Sequence, residues 1–313
     1  MTSYHGDDVR YRGTYGQGYY GSSQESAFMV GDQGDAGLRQ WDSAADKKKQ
    51  VPWYKTKWVF LLIIGLFLLL LVLRLLIPST IEPRVLVLDP PPKFNKQNGL
   101  NPNELLSSGQ RILENQVLGP ESMIQIDGAI YATLYTGEVV KIVNDQIVGR
   151  IQLGPPCSPN CSPKTEEKTG RPLGIRQAPD GWLIVADAYH GLIAVDFNTN
   201  HTVTLLPPET EVKGKTFTFL NDLVIHPDGT IYFTESSTKF RRWEFPYILL
   251  EAKGDGRLMS FDPKTGFTVQ LLDRLFFPNG IELTDNGTAL LVAETGKARI
   301  LKYGYIVLYL YIR

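Results

Sequence analysis

The chain of 313 residues is long enough for one large domain or two small ones. Lys and Arg together number 32 and Asp and Glu 33, and the net charge of −1 argues against a dedicated nucleic-acid binder. Two cysteines exclude a disulfide-dense scaffold and a cysteine-rich zinc domain. The 29 glycines and 20 prolines indicate many turns, which favours short strands over long helices.

Residues 1–57 are predicted to form a disordered cytoplasmic tail. Gly, Ser, Gln and Tyr dominate most of this stretch, and aliphatic residues are scarce. Such a composition cannot bury enough apolar surface to offset the entropy of ordering the chain. Two interpretations stay open: a docking tail phosphorylated on a tyrosine, or a solvated tail without a specific partner.

Residues 58–77 read WVFLLIIGLFLLLLVLRLLI and carry a single charge, Arg74. At a rise of about 1.5 Å per residue, this segment spans roughly 30 Å, the thickness of a bilayer core. A signal peptide would begin near residue 1 and end at small residues, and a soluble helix this apolar on all faces is rare. The segment is therefore predicted to be a transmembrane helix.

Positive charge is concentrated before this helix, at Lys47, Lys48, Lys49, Lys55 and Lys57. This asymmetry predicts a single-pass protein with its N-terminus in the cytoplasm. Residues 78–313 then lie in the lumen of the endoplasmic reticulum or outside the cell. Three N-glycosylation sequons agree with that topology, at Asn160, Asn200 and Asn286.

The two cysteines, Cys157 and Cys161, lie in an oxidising compartment if this topology holds. A disulfide closing the short loop between them is one outcome, and two unpaired thiols are the other. A zinc site at CSPNC is disfavoured because no second pair of ligands follows.

After a linker and first strand region over residues 78–118, residues 119–303 contain an internal repeat. Four similar segments begin at Pro120, Pro172, Leu220 and Pro278, and their turn glycines are spaced 53, 48 and 58 residues apart. Asp-Gly and Asn-Gly supply the positive backbone angles of tight hairpins. A period near 50 residues with hairpin-linked strands is typical of a β-propeller, whereas a β-sandwich would not show this self-similarity.

One position recurs at the start of the first strand in each repeat, occupied by Glu121, Leu173, Asn221 and Asn279. The innermost strands of a propeller begin near its central channel, so one carboxylate and two amides are predicted to converge there. These are hard oxygen ligands of the type that Ca²⁺ selects, and the lack of His or Cys disfavours zinc or copper. The equally weighted alternative is that Asn221 and Asn279 only cap strands or turns.

Several motifs together resemble the strictosidine synthase-like branch of the paraoxonase and senescence-marker superfamily: GPESM, GRPLGIR, VADAYHGL, FLNDL with DGTIYFTESS, and RLFFPNGIEL with LVAETGKARI. This resemblance implies an all-β, six-bladed propeller with Ca²⁺ on its axis and Glu121, Asn221 and Asn279 on the metal-ligand positions. It implies hydrolysis of small-molecule esters or lactones, or a strictosidine synthase-like condensation. Asp222 would orient a ligand or a water.

About four blades are expected here, because six blades of about 50 residues need roughly 300 residues. The family's acidic metal ligand after the fourth repeat and the catalytic carboxylate of the plant synthase are not found. Residues 304–313 form an apolar run outside the repeat, which would serve as a fourth strand or present an aggregation-prone edge. We expect a truncated product that is unstable alone or needs a partner.

Three hypotheses for function remain: a membrane-anchored Ca²⁺-dependent arylesterase-like hydrolase, a non-catalytic binding propeller, and an inactive product. No catalytic residue is assigned. His190 is the one histidine near a predicted channel-facing strand end, and a role as general base is a minor alternative. The oligomeric state is not predicted.

Overall fold

The computed structural model describes residues 53–88, 90–91, 102–157, 159–284, 287–304 and 310–312. The predicted cytoplasmic tail up to residue 52 and the sequon residue Asn286 lie outside these ranges. The chain divides into two compact units, Met1–Arg74 and Leu75–Arg313, which are described separately.

Helix α1 (Trp53–Leu76) covers the predicted membrane segment except for its last residue, Ile77, and begins five residues before it. Its apolar side chains from Trp58 to Leu76 are exposed. Within the described residues it is the one helix long and apolar enough to cross a membrane. A helix with apolar side chains on every face is typical of a membrane span or of the core of a large protein.

The second unit consists of four antiparallel sheets, each built from four consecutive strands, as in propeller blades. Blade 1 contains β1 (Met123–Ile126), β2 (Ala129–Thr133), β3 (Glu138–Val143) and β4 (Gln146–Gln152). Blade 2 contains β5 (Pro172–Gln177), β6 (Leu183–Asp187), β7 (Gly191–Asp196) and β8 (His201–Leu206). Blade 3 contains β9 (Phe219–Ile225), β10 (Ile231–Ser237), β11 (Gly256–Phe261) and β12 (Thr268–Leu275).

Blade 4 contains β13 (Pro278–Thr284), β14 (Ala289–Glu294), β15 (Arg299–Gly304) and β16 (Leu310–Ile312). β16 lies within the apolar C-terminal run and pairs with β15, so this part of the run supplies the fourth strand of blade 4. The predicted all-β propeller with four blades is therefore confirmed.

Short helices lie before β1 and in the loops between strands. They are α2 (Glu166–Thr169) between blades 1 and 2, α3 (Phe245–Glu251) between β10 and β11, and 3₁₀ turns at Leu105–Ser108, Arg242–Glu244 and Thr295–Lys297. These loops follow the second strands or precede the first strands, so they lie at the end of the blades where the inner strands begin.

The hairpins at the opposite end follow two patterns. Asp127 and Gly128 both have positive φ, which is the two-residue turn that the sequence predicts. In blades 2 and 3 the loop is Pro-Asp-Gly, and only Gly181 and Gly229 have positive φ. Proline holds its φ near −65°, which fits the first position of a type I turn, so these hairpins are one residue longer.

Apolar side chains join neighbouring blades face to face. One buried cluster lies between blades 1 and 2 and includes Ile151 and Val185, and another between blades 2 and 3 includes Leu192 and Phe233. A third cluster joins blades 3 and 4 through Leu258 and Val292. Blades 2 and 3 thus bury both faces against neighbouring blades, whereas blades 1 and 4 each pack against one neighbour in the described part of the chain.

Buried ion pairs recur at the end of the second strand. In blade 3, Arg257 Nε donates to Glu235 Oε2 at 2.5 Å, and in blade 4, Arg299 Nε donates to Glu294 Oε2 at 2.6 Å. The Arg257 side chain is 2% exposed and that of Arg299 is 30% exposed. The equivalent cross-strand ion pair is therefore shielded from solvent in blade 3 and partly exposed to solvent in blade 4.

We expect Glu235→Ala to lower the free energy of unfolding by about 3–5 kcal/mol, because it leaves the buried Arg257 guanidinium without its charge partner. Glu294→Ala is the matched control and should cost less, since Arg299 reaches solvent. Urea unfolding of both variants in the full chain checks the ranking. Equal losses would contradict the difference in burial.

Candidate functional site

One cavity lies where the inner strands begin, and we call it the central cavity. Its volume is about 200 Å³, and it is lined by Glu121, Ser122, Leu173, Gly174, Asn221, Asp222 and Asn279. The four equivalent positions of the sequence repeat, which we call the ring positions, are all among these residues. They are Glu121, Leu173, Asn221 and Asn279. The structure thus brings Glu121, Asn221 and Asn279 together, as the repeat alignment predicts.

The amide of Asn221 is oriented by two hydrogen bonds in series. Its Nδ2 donates to Ser236 Oγ at 2.8 Å, and Ser236 Oγ donates to the Pro278 carbonyl oxygen at 2.7 Å. Because the Ser236 hydroxyl hydrogen is directed to Pro278, its oxygen accepts from the amide. This leaves Oδ1 of Asn221 as the acceptor on the other side of a side chain that is 4% exposed.

Buried threonines of blades 1 and 3 tie each of these two blades to the inner strand of the next. Thr234 Oγ1 of blade 3 donates to the Asn279 carbonyl oxygen at 2.6 Å. In blade 1 the equivalent Thr133 Oγ1 donates to the Leu173 carbonyl oxygen at 2.8 Å. These bonds hold the backbone of two ring positions directly.

The carboxylate of Glu121 is held by a buried arginine. Arg171 Nη2 lies 2.9 Å from Glu121 Oε2, and Arg171 also donates to the Gly119 carbonyl oxygen at 3.2 Å. The side chain of Arg171 is 5% exposed, whereas that of Glu121 is 39% exposed. Arg171 therefore engages one of the two Glu121 oxygens, on a side chain that is partly open to solvent.

Asp222 links blade 3 to blade 4. Its Oδ2 accepts from the Ile281 backbone N–H at 3.1 Å, and its Oδ1 accepts from the Leu223 N–H at 2.9 Å. Burial raises the pKa of Asp222, and Arg176, whose Nη1 lies 3.5 Å from Oδ1, opposes that rise. Both oxygens thus position backbone, and a role in orienting a ligand or water stays a prediction.

The donor set of the central cavity consists of oxygen atoms from carboxylates, amides and the Ser122 hydroxyl. Among the residues that the structure describes, no three His, Cys, Asp or Glu side chains are grouped as a metal site. Amide oxygens with few carboxylates suit Ca²⁺, which accepts neutral oxygen ligands, better than zinc or copper. The residues present therefore fit a calcium ion by their chemistry.

His190 is not among the residues that line the central cavity. Its Nε2 lies 3.2 Å from the Glu167 carbonyl oxygen, and its backbone N–H donates to Asp187 Oδ1 at 3.0 Å. It therefore belongs to a separate polar cluster around Asp187, and its use as a general base finds no support in this geometry.

Asp187 is fully buried, and its Oδ2 has no hydrogen-bond partner among the described residues. Burial raises the pKa of Asp187, while His190 and the backbone donors of Tyr189 and Arg171 lower it. Glu166, whose pKa burial also raises, belongs to the same cluster. A carboxyl that is easier to protonate in the folded state than in the unfolded chain makes stability depend on pH.

The loop before α2 carries the disulfide and one sequon. Cys157 and Cys161 are joined in a disulfide, which decides between the two outcomes left open by the sequence. Asn160 lies inside that loop and is exposed, and Asn200 is exposed at the turn between β7 and β8.

The side chains that orient the ring positions, Ser236 and Arg171, were not predicted as site residues. Arg171 lies in the GRPLGIR motif, two residues before a ring position, which was the one available signal. Ser236 lies on the neighbouring strand β10, and its contact with Asn221 depends on strand register that the sequence pattern does not specify.

Family models and individual relatives indicate the same family for this chain. Residues 221–307 match the family model described as strictosidine synthase, and residues 100–142 match the model of the strictosidine synthase-like N-terminal region. Adipocyte plasma membrane-associated protein of Mus musculus is 40% identical over 243 residues, covering 77% of this chain and 57% of the relative. The protein of that name from Gallus gallus is 38% identical over 270 residues, covering 84% of this chain and 63% of the relative.

The chain spans less than two thirds of the length of these relatives. Among solved structures, a putative gluconolactonase is 16% identical, with a TM-score of 0.47 and coverage of 64% of this chain and 65% of that chain.

We expect Asp187→Asn to change the pH profile of stability. The folded pKa of Asp187 is raised above its ordinary value of 3.8, so the wild-type chain is favoured below about pH 4 and loses stability as pH rises through the folded pKa. The asparagine variant lacks that loss. Unfolding free energies from about pH 4 to about pH 7 should therefore shift in favour of the variant. Parallel profiles would contradict the assignment.

Proposed function

Because this chain belongs to the strictosidine synthase-like family, we propose that its propeller binds Ca²⁺ in the central cavity and hydrolyses small esters or lactones there. The observation that carries the proposal is the convergence of Glu121, Asn221 and Asn279 on one cavity. The convergence follows from the repeat, since equivalent residues of consecutive inner strands meet at the same end of a propeller.

Glu121, Asn221 and Asn279 would hold the ion, with Ser122 as a further oxygen donor. When bound, Ca²⁺ supplies a Lewis acid for the carbonyl oxygen of an ester or lactone. The chain itself contributes positioning: Ser236 sets the amide of Asn221, and Arg171 sets the carboxylate of Glu121. Such outer contacts fix the ligands before any ion arrives, which reduces the ordering that binding must otherwise supply.

Arg171 would also affect the affinity of the central cavity for Ca²⁺. Its guanidinium lies against the ring carboxylate, so the positive charge beside Glu121 opposes a cation. Binding then depends on the remaining Glu121 oxygen and on the amides. A moderate affinity is the consequence, because the charge of the ligand set tunes Ca²⁺ affinity over several orders of magnitude.

We also propose that helix α1 spans a membrane, with residues after it in the lumen of the endoplasmic reticulum or outside the cell. The apolar exposed helix, the lysines before it and the disulfide of Cys157 and Cys161 support this topology. The substrate would then reach the central cavity from the non-cytoplasmic side.

Calorimetric titration of the full chain in detergent with Ca²⁺ tests the site. Glu121→Gln should weaken binding about 100-fold by removing the one ring carboxylate. Ser236→Ala should weaken it about 10- to 100-fold by releasing the Asn221 amide. Leu173→Met, at the ring position without an oxygen, is the matched control and should bind like the wild-type chain. Equal affinity in all four proteins would exclude the site.

Hydrolysis of phenyl acetate and of a small lactone, measured with and without Ca²⁺, then tests the activity. Turnover that needs Ca²⁺ and falls in Glu121→Gln supports a hydrolase. Ca²⁺ binding at the cavity without turnover would instead make this propeller a binding module, the second hypothesis from the sequence.

Enzymatic deglycosylation of the protein from mammalian cells tests the topology. We expect Asn160→Gln and Asn200→Gln each to remove one glycan-dependent shift in gel mobility, because both side chains are exposed in sequons. A wild-type chain without any glycan would contradict the proposed orientation.

A further inference from the structure

A second cavity, of about 560 Å³, lies between blades 2 and 3 at the hairpin end, away from the ring positions. We call it the interblade cavity. Apolar side chains of both blades line it, among them Trp182, Ile184, Ala194, Val203 and Ile231. Its size falls in the range of small-molecule sites, which is about 300–1,000 Å³.

Comparison of two neighbouring interfaces explains why the interblade cavity exists. The turns after β7 and β11 read Asp-Phe-Asn-Thr and Asp-Pro-Lys-Thr. In each turn the aspartate accepts hydrogen bonds from the N–H two residues later and the threonine hydroxyl three residues later, at 2.8 and 2.6 Å for Asp196 and at 2.9 and 2.8 Å for Asp262. The turns are therefore equivalent, and Phe197 corresponds to Pro263.

At the interface of blades 1 and 2, Phe197 fills the corresponding space. Its ring packs edge-on against Tyr131 with centroids 5.2 Å apart. A Cβ atom on Gly149 would lie 3.3 Å from two of its ring atoms, so the ring also contacts the β4 backbone closely. Tyr131, Lys141 and Gly149 are cross-strand neighbours and form the wall that Phe197 covers.

In blade 2 the wall at the equivalent register consists of Ile184, Ala194 and Val203, which are likewise cross-strand neighbours. All three line the interblade cavity, and Pro263 lines its opposite side. The proline ring is shorter than a phenylalanine side chain and cannot reach across. The interblade cavity is thus the place of an aromatic side chain that the neighbouring interface possesses and this one lacks.

We propose that the interblade cavity binds a small apolar ligand with an aromatic or alicyclic ring, either neutral or positively charged. The ring would occupy the space that Phe197 fills at the neighbouring interface. This site is separate from the central cavity and does not depend on calcium.

The charge preference follows from the rim of the cavity. Asp180 and Asp228 lie there with a single lysine, Lys264, whose Nζ donates to the Asp228 carbonyl oxygen at 3.2 Å. Backbone and side-chain donors of Thr230 and the side chain of His226 hold the pKa of Asp228 down at about 2, so its carboxylate stays charged. Two carboxylates against one ammonium group favour a cation and disfavour an anion at the rim.

Calorimetry with benzamidine, a water-soluble aromatic cation, tests the proposal in the full chain in detergent, with benzoate as the anion of the same ring. We expect benzamidine to bind at one site and benzoate to bind about tenfold more weakly or not at all. Absence of benzamidine binding, or equal binding of the two, would overturn the proposal.

Two variants locate the site. Pro263→Phe copies the aromatic side chain of the neighbouring interface, and Ala194→Phe fills the cavity from the other wall. Each should weaken benzamidine binding about tenfold or more. Val148→Phe adds the same side chain at an exposed position of β4, where Val148 is 58% exposed, and should leave binding unchanged. Unchanged binding in both filling variants, with thermal melting showing that they fold, would overturn the assignment.

The converse variant, Phe197→Ala, removes the ring at the interface of blades 1 and 2. It should open a second cavity there, whose wall contains the cationic Lys141. The stoichiometry of benzyl alcohol, a neutral aromatic probe, should therefore rise from one site to two, while that of benzamidine stays at one. A benzyl alcohol stoichiometry that stays at one in the folded variant would contradict the equivalence of the two interfaces.

Discussion

The geometry of the central cavity depends on a carboxylate buried at the end of the second strand of a blade. Glu235 Oε1 accepts from the Thr218 N–H at 2.8 Å, and Glu294 Oε1 accepts from the Phe276 N–H at 2.9 Å. Each donor lies three residues before a ring asparagine. The carboxylate therefore sets where the inner strand begins, and its other oxygen is neutralised by an arginine of the third strand. Without that arginine, a charge so deeply buried would be costly.

Blade 2 stabilises the buried carboxylate at the end of its second strand in a different way. Asp187 takes the equivalent place, but glycine stands where blades 3 and 4 have the arginine, since Asp187 pairs with Gly191 across the hairpin. The Asp187 side chain, which is shorter than that of glutamate, accepts hydrogen bonds from its own loop. The donors are the successive backbone N–H groups of Tyr189 and His190. The ring position of this blade is Leu173, which needs no polar orientation. The blade without a polar ring residue is thus also the one whose carboxylate lacks a cationic partner on the third strand.

Much of this arrangement was predictable because a repeat converts sequence position into spatial position. Aligning the turn glycines was sufficient to bring Glu121, Asn221 and Asn279 to one cavity. What the repeat does not determine are contacts between non-equivalent atoms. Ser236 reaches Asn221 through strand register, and Arg171, just before blade 2, reaches Glu121, just before blade 1. Likewise the extra residue of the Pro-Asp-Gly hairpins follows from the fixed φ of proline and not from the Asp-Gly pair alone.

The same repeat makes departures from it informative. Where equivalent positions carry equivalent side chains, the blade interfaces close in the same way, as Thr133 and Thr234 do beside the central cavity. Where one position changes while its turn is retained, the backbone keeps its place and the missing side chain leaves a space. Pro263 stands where the equivalent turn has Phe197, and the space lies beside Ile184. Protein interiors are otherwise close-packed, so a space of this size requires that the surrounding strands be held by other contacts. The buried cluster of Leu192 and Phe233 supplies them, and the interblade cavity persists because blades 2 and 3 are already joined beneath it.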